Sequence, residues 1–115
     1  MTMSKMQLTD ECFQALIEGK KKYELRLGNP IINKLSKGMD LYIVNKDNTK
    51  EGISASVKRI CWFESFDDAL EIVKPNEIFP YMENDDVIKY YEELTDIERI
   101  SRYHVVLIRI KIHKS

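Results

Sequence analysis

The last segment of the chain alternates between apolar and polar residues. Its apolar side consists of Val106, Ile108, Ile110 and Ile112. Its basic side consists of Arg109, Lys111 and His113. Because successive side chains of a β-strand point to opposite faces of the sheet, this pattern predicts a half-buried strand.

The segment 22–27 has the same period of two. Its apolar side consists of Tyr23, Leu25 and Leu27, and its charged side of Lys22, Glu24 and Arg26. The turn-forming residues Gly28, Asn29 and Pro30 follow and end the predicted strand. We expect Tyr23 and Leu25 to pack inside the fold together with the apolar side of the last strand.

The rest of the pattern contains shorter strands and three helices. Strands are predicted at 6–8, 41–44 and 51–63, the last being so long that it needs a bend or a bulge. Helices are predicted at 10–18, 67–73 and 85–94, with N-caps at Thr9, Ser65 and Asn84. Strands scattered among helices without βαβ regularity indicate an α+β fold, for which a closed or nearly closed β-barrel with helices packed at its ends is the best match.

Composition limits the class of protein. At 115 residues the chain forms a single domain over 1–115, and 43% apolar with 32% charged residues is a globular balance. The net charge of -1 argues against a broadly basic nucleic-acid binder but allows a local basic patch. Cys12 and Cys61 lack metal-ligand spacing, so we expect no metal and no cofactor. No leader or membrane-spanning run is apparent, and we expect a cytoplasmic protein.

Charged residues crowd the junction between the first helix and the strand at 22–27. They are Lys20, Lys21, Lys22, Glu24 and Arg26. Such a run is often only a solvated face. However, Glu24 and Arg26 share one face of the strand, so Arg26 can keep Glu24 ionised and still offer donors to a phosphate or a base edge. Lys21 lies in the preceding turn, from which it can reach the same face.

The segment 19–26, GKKKYELR, resembles the G-x-K-x-x-E-x-R signature of ASCH domains, which are relatives of the PUA RNA-binding fold. The resemblance extends in order over most of the chain, including the WFESF segment at 62–66 and the IFP segment at 78–80. It implies a PUA-like β-barrel whose signature residues line a cleft for RNA, a nucleotide or a modified nucleoside. The candidate ligand-binding residues are Lys21, Glu24, Arg26 and Lys58.

The resemblance also suggests an enzyme as the alternative function. One small bacterial branch of the family hydrolyses N4-acetylcytidine with a lysine, a threonine and a glutamate. Lys21 matches the lysine, Glu83 is the candidate for the glutamate, and Glu24 stands where the threonine would be. The alternative is therefore a nucleoside amidohydrolase or a ribonuclease with Lys21, Glu24 and Glu83 as catalytic residues. Since an ionised glutamate attacks an amide poorly, we expect slow or no hydrolysis.

Two further interpretations stay open at this point. The aromatic residues Trp62, Phe63 and Phe66 could stack on bases, although aromatic residues at a strand-to-helix junction usually belong to the core. A protein-interaction domain that binds no nucleic acid also fits the composition.

Overall fold

The protein, seen as a computed structural model that describes residues 4–94 and 96–113, consists of a curled sheet with helices packed against it. Within these ranges the helices and strands are β1 (Ser4–Leu8), α1 (Asp10–Ile17), β2 (Tyr23–Leu27), β3 (Asp40–Asn45), β4 (Gly52–Phe63), α2 (Phe66–Ile72), α3 (Asn84–Glu93), α4 (Ile97–Tyr103) and β5 (Val105–Ile112). None of these helices has the length and apolar content needed to cross a bilayer.

The sheet has five strands in the order β1-β3-β4-β5-β2. The pair β1 and β3 is parallel, and the other neighbouring pairs are antiparallel. Strands β1 and β2 are the two edges of this order, and they do not pair with each other. The predicted α+β, PUA-like fold is confirmed, with the barrel closed only halfway. We call the gap between β1 and β2 the seam.

Strand β5 is buried on both faces. One face contributes Val106, Ile108 and Ile110 to a core with α1, as the alternation predicts. The other face contributes Val105 and Leu107 to a second core. This second core forms because α2 and α3 cover that face. The alternation of apolar and polar residues in β5 does not predict this second buried face.

The predicted strand at 22–27 joins the second core. Leu25 is buried there and Tyr23 is half-buried against it. Both therefore pack inside the fold, but on the face opposite to Val106 and Ile108. The expectation of one shared interior was too simple, since the sheet is covered on both sides.

Local signals in the sequence place most helix ends correctly. The Thr9 side chain accepts from the Cys12 amide at 3.5 Å, and that of Ser65 accepts from the Asp68 amide at 3.1 Å. The third helix begins one residue earlier than predicted, so Asn84 lies inside it and Glu83 takes the cap position without a side-chain cap bond. The predicted irregularity of β4 is a register shift between Val57 and Arg59.

Helix α4 is absent from the sequence prediction. It has an N-cap at Asp96, whose side chain accepts from the Arg99 amide at 3.0 Å. Its apolar pattern is weak because Ile97 is 79% exposed and only Ile100 packs against the core. His104 then adopts φ 64°, which ends the helix and turns the chain directly into β5.

We expect the second core to depend on the hydroxyl of Tyr91. Tyr91 is 1% exposed, and its Oη donates to the Leu25 carbonyl at 2.9 Å. Tyr91→Phe should lower the free energy of unfolding by about 1–2 kcal/mol, because a buried hydrogen bond is lost. The matched control is Tyr90→Phe, since the neighbouring Tyr90 is 43% exposed and its change should stay within about 0.5 kcal/mol. Urea unfolding measures both, and equal losses would contradict this role.

Candidate functional site

A cavity of about 470 Å³ opens at the seam between β1 and β2. The strand residues that line it include Gln7 and Leu8 from β1 and the segment 24–27 from β2. Helix α3 and the segment 79–82 close its other side. We call this cavity the seam cleft. Its volume lies within the range of about 300–1,000 Å³ that is usual for small-ligand pockets.

Lys21 lies behind the seam cleft and does not line it. Its side chain is 0% exposed. The ammonium donates to the carbonyls of Tyr23 and Ile78, each at 2.7 Å, and lies 3.1 Å from Oε1 of Glu24. A lysine ammonium has three N–H donors and no lone pair, so these three acceptors use its whole capacity.

The glycine of the signature explains how Lys21 turns inward. Gly19 has φ 80°, a left-handed conformation that is favourable for glycine at the end of a helix. The amides of Lys20 and Lys21 then both donate to the carbonyl of Ala15 at 3.0 Å. This tight turn ends α1 and carries Lys21 into the interior just before β2 begins.

Glu24 joins Lys21 to Arg26. It is 5% exposed, and its second oxygen, Oε2, accepts from Nε of Arg26 at 2.6 Å. Burial alone would raise the pKa of Glu24, but the charges of Lys21 and Arg26 and their hydrogen bonds hold this pKa below its ordinary value. Glu24 is therefore an ionised carboxylate with a cation on each oxygen.

Arg26 crosses the seam. Its Nη2 donates to the carbonyl of Gln7 on β1 at 2.6 Å, while its Nε holds Glu24 on β2. These bonds use two of the five N–H donors of a guanidinium. The side chain is 32% exposed and lines the seam cleft, so its remaining donors are accessible to a ligand.

Two exposed cations complete the charge of the seam cleft. Lys46 follows β3 and Arg99 lies on α4, where its Nε donates to the Gly28 carbonyl at 3.1 Å. With Arg26, the lining has three cations against the single carboxylate of Glu24. Sequence analysis missed both residues, because neither lies near the signature in the chain and no local pattern distinguishes them from other surface charges.

Aromatic rings form the opposite wall. Phe79 lies between Tyr81 and Tyr90, with ring centroids 5.9 Å and 5.3 Å away in edge-to-face contacts. Tyr81 is 44% exposed and Tyr90 is 43% exposed. Burial raises the pKa of both hydroxyls; the hydrogen bond to Cys12 adds to the effect at Tyr81, and the charge of Glu24 adds to it at Tyr90. Both tyrosines thus present neutral hydroxyls and accessible rings.

The other sequence-predicted residues lie elsewhere. Lys58 is exposed at the irregularity of β4, and Glu83 is exposed ahead of α3; neither lines the seam cleft. Trp62 also lies outside it, with Nε1 donating to Asn33 at 3.3 Å. Phe66 is buried in the second core. The structure thus unites Lys21, Glu24 and Arg26 and separates them from Lys58 and Glu83.

The fold is similar to those of several solved structures. The crystal structure of hypothetical protein PH0355 has 26% sequence identity and a TM-score of 0.77, with 97% of this chain and 100% of that chain covered. The solution structure of protein PF0455 from Pyrococcus furiosus has 24% identity and a TM-score of 0.71, with 99% and 100% covered. A mutant ZmASCH protein from Zymomonas mobilis has 14% identity and a TM-score of 0.62, with 96% of this chain and 66% of that chain covered.

These likenesses establish the fold. This chain has the ASCH fold, a PUA-like α+β architecture, as the resemblance of its signature segment implies. Comparison with protein-family models and with curated protein sequences gives no match. The function therefore has to be argued from the site itself.

We expect Glu24 to be the most sensitive residue of the site. Glu24→Gln removes the charge between two cations and leaves the buried Lys21 ammonium without a counter-ion, which should cost about 3–5 kcal/mol of unfolding free energy. The matched control is Glu18→Gln, which breaks an exposed ion pair with Lys20, 3.1 Å long, and should cost no more than about 1 kcal/mol. Chemical unfolding at neutral pH measures both losses.

The loss of unfolding free energy in Glu24→Gln should also depend on pH. A carboxyl group whose pKa is lowered by folding stabilises the protein above the unfolded pKa of about 4.3, and this contribution disappears as pH falls through the folded pKa. The difference between wild type and Glu24→Gln should therefore shrink in acid. A difference that stays constant down to about pH 2 would mean that the charge of Glu24 is not the cause.

Proposed function

We propose that the seam cleft binds a nucleotide, either free or as part of single-stranded RNA. The observation that supports this most is the pairing of three cations with two half-exposed tyrosine rings around one cavity of about 470 Å³. Cations bind phosphate, and exposed aromatic rings stack on bases.

The phosphate would lie near Arg26, Lys46 and Arg99. Glu24 does not oppose this, because its charge is already neutralised from behind by Lys21 at 3.1 Å. The fork of Arg26 is held in place by Glu24 and by the Gln7 carbonyl, so little side-chain entropy is lost when its free donors bind an anion. Lys46 and Arg99 would add charge at the rim.

The base would lie against Tyr81 and Tyr90. Glu24 could then contribute to base selection, since each carboxylate oxygen can accept more than one hydrogen bond. A glutamate is a good acceptor for the exocyclic amine of cytosine. A cytidine nucleotide is therefore the preferred ligand for a first test.

The alternative of a nucleoside amidohydrolase or a ribonuclease has less support. Lys21 uses its three donors on protein acceptors, and Glu24 has a cation on each oxygen. A catalytic base or nucleophile needs a reactive lone pair that reaches the substrate. The Lys21 ammonium has none, and the two cations weaken the Glu24 carboxylate as a base and as a nucleophile although it can still accept hydrogen bonds. Glu83 lies outside the seam cleft. The arrangement favours binding over catalysis.

We expect Lys46→Gln to weaken binding of cytidine monophosphate about tenfold, because a charge-assisted hydrogen bond to the phosphate is lost. Lys46 is exposed, so the fold should not change. The matched control is Lys89→Gln, which removes the same charge from α3 at an exposed position outside the cleft lining. Isothermal titration at two salt concentrations measures the affinities.

Cytidine and cytidine monophosphate should also differ in their affinity for the seam cleft. The monophosphate should bind more tightly, and the difference should shrink as salt rises, because phosphate contacts release counter-ions. Equal affinity for the two ligands, together with insensitivity to salt, would refute an anion-binding cleft.

We expect N4-acetylcytidine to be hydrolysed slowly or not at all. Chromatographic detection of released cytidine is the direct assay, with heat-denatured protein as the blank. Robust turnover that disappears in Glu24→Gln but survives in Glu83→Gln would show that Glu24 activates water and that the protein is an enzyme.

A further inference from the structure

A second group of cations lies on the sheet at a distance from the seam cleft. It consists of Lys58 and Arg59 on β4 and Arg109 and Lys111 on β5. Lys58, Arg59 and Lys111 are exposed, and Arg109 is half-buried. We call these four residues the basic face. None of them lines the seam cleft, so the proposed function does not account for them.

Strand register brings these cations together. Arg59 lies directly opposite Arg109, and Arg109 lies directly opposite Tyr23 on β2. Directly opposite residues of an antiparallel pair have Cα atoms about 4.5–5.5 Å apart and project from the same face. Lys111 follows two residues later on that face, about 7 Å along the strand.

Arg109 is held in place by Tyr23. Its Cζ lies 5.3 Å from the centroid of the Tyr23 ring, and its Nη1 donates to the Tyr23 hydroxyl at 3.2 Å. A guanidinium stacked on a ring keeps its fork in a fixed orientation, which suits recognition of a phosphate.

No carboxylate neutralises the basic face within the described ranges. The ion pairs found at 4–94 and 96–113 join Glu18 to Lys20 and Glu24 to Lys21 and Arg26. In the strand register, Glu24 lies opposite Ile108 and therefore projects from the face opposite to Arg109. Asp40 lies opposite Ser56, across β4 from Lys111. Like charges directly opposite each other destabilise a sheet, so this arrangement is costly unless an anion covers it.

We propose that the basic face binds the phosphodiester backbone of a nucleic-acid strand, one nucleotide of which occupies the seam cleft. The inference rests on the proposed function for that second part only. Neighbouring cations on an exposed surface of the sheet complement the successive phosphates of one strand, and phosphate contacts carry no base preference. Lys58, a candidate ligand-binding residue in the sequence, thus contacts the strand outside the cleft.

The positions of the two surfaces distinguish the binding of a mononucleotide from the binding of a longer strand. Tyr23 and Arg26 are three residues apart on β2, about 10 Å, but project from opposite faces. A mononucleotide can occupy only one of the two surfaces. A ten-nucleotide strand, about 34 Å long even when fully stacked, exceeds the shortest dimension of the protein, 23 Å, and can reach both.

The test compares two triple variants with the same change of charge. The first replaces exposed cations of the basic face: Lys58→Gln, Arg59→Gln and Lys111→Gln. The control replaces exposed lysines elsewhere: Lys34→Gln, Lys37→Gln and Lys89→Gln. The probes are decacytidylate RNA and cytidine monophosphate, each titrated at about 50 and 200 mM salt, the range in which phosphate contacts lose affinity.

We expect the basic-face variant to bind decacytidylate about tenfold more weakly than the control. The slope of log affinity against log salt concentration should fall by about 0.7 for each phosphate contact removed. The affinity of this variant for cytidine monophosphate should not change. Thermal melts should show a fold at least as stable as wild type, since like-charge repulsion is relieved.

Equal affinity of both variants for decacytidylate would overturn the proposal. So would tight binding of poly-glutamate that is lost in the basic-face variant without any loss of RNA binding, because this result would assign the face to an acidic protein. Failure of cytidine monophosphate to bind, with decacytidylate still dependent on the basic face, would refute the seam cleft alone.

Discussion

The architecture depends on one chain of charges: Lys21 to Glu24, Glu24 to Arg26, and Arg26 across the seam to the Gln7 carbonyl. Burying these groups is expensive, and the cost is offset only because each buried donor or acceptor has a partner. This series of charged groups also takes the place of the backbone hydrogen bonds that would join two paired strands. It ties the two edge strands together where their backbones do not pair.

The same feature creates the cavity. Strands that paired fully across the seam would fill the space in which Arg26 now lies half-exposed. A side-chain bridge spans a wider gap than a ladder of backbone hydrogen bonds, whose strands lie about 4.8 Å apart. Stability and an open cleft thus come from the same residues, and this is why the signature combines buried ionic groups with a partly accessible guanidinium.

Much of the fold and part of the site could be predicted from the sequence, and what could not be predicted has physical causes. Alternation placed Leu25 and Ile108 in the interior, and the spacing of Glu24 and Arg26 put them on one face. Complete burial of Lys21 was not predictable, because one of its acceptors is the Ile78 carbonyl, 57 residues away in sequence. Long-range contacts also bring Lys46, from beyond β3, to the seam cleft. Helix α4 was not predicted because its apolar residues are mostly exposed and give only a weak helical pattern.

The position of β5 has a consequence for how the protein folds during synthesis. This strand lies between β4 and β2 in the sheet, yet it is the last strand along the chain. Strand β2 leaves the ribosome long before β5, which is its sheet partner among the described strands. It therefore stays unpaired until some eighty more residues have been made and Leu25 can lie opposite Leu107. Until β5 has been made, the unpaired edge of β2 and the apolar face of β4 stay exposed, and in this state aggregation competes with folding.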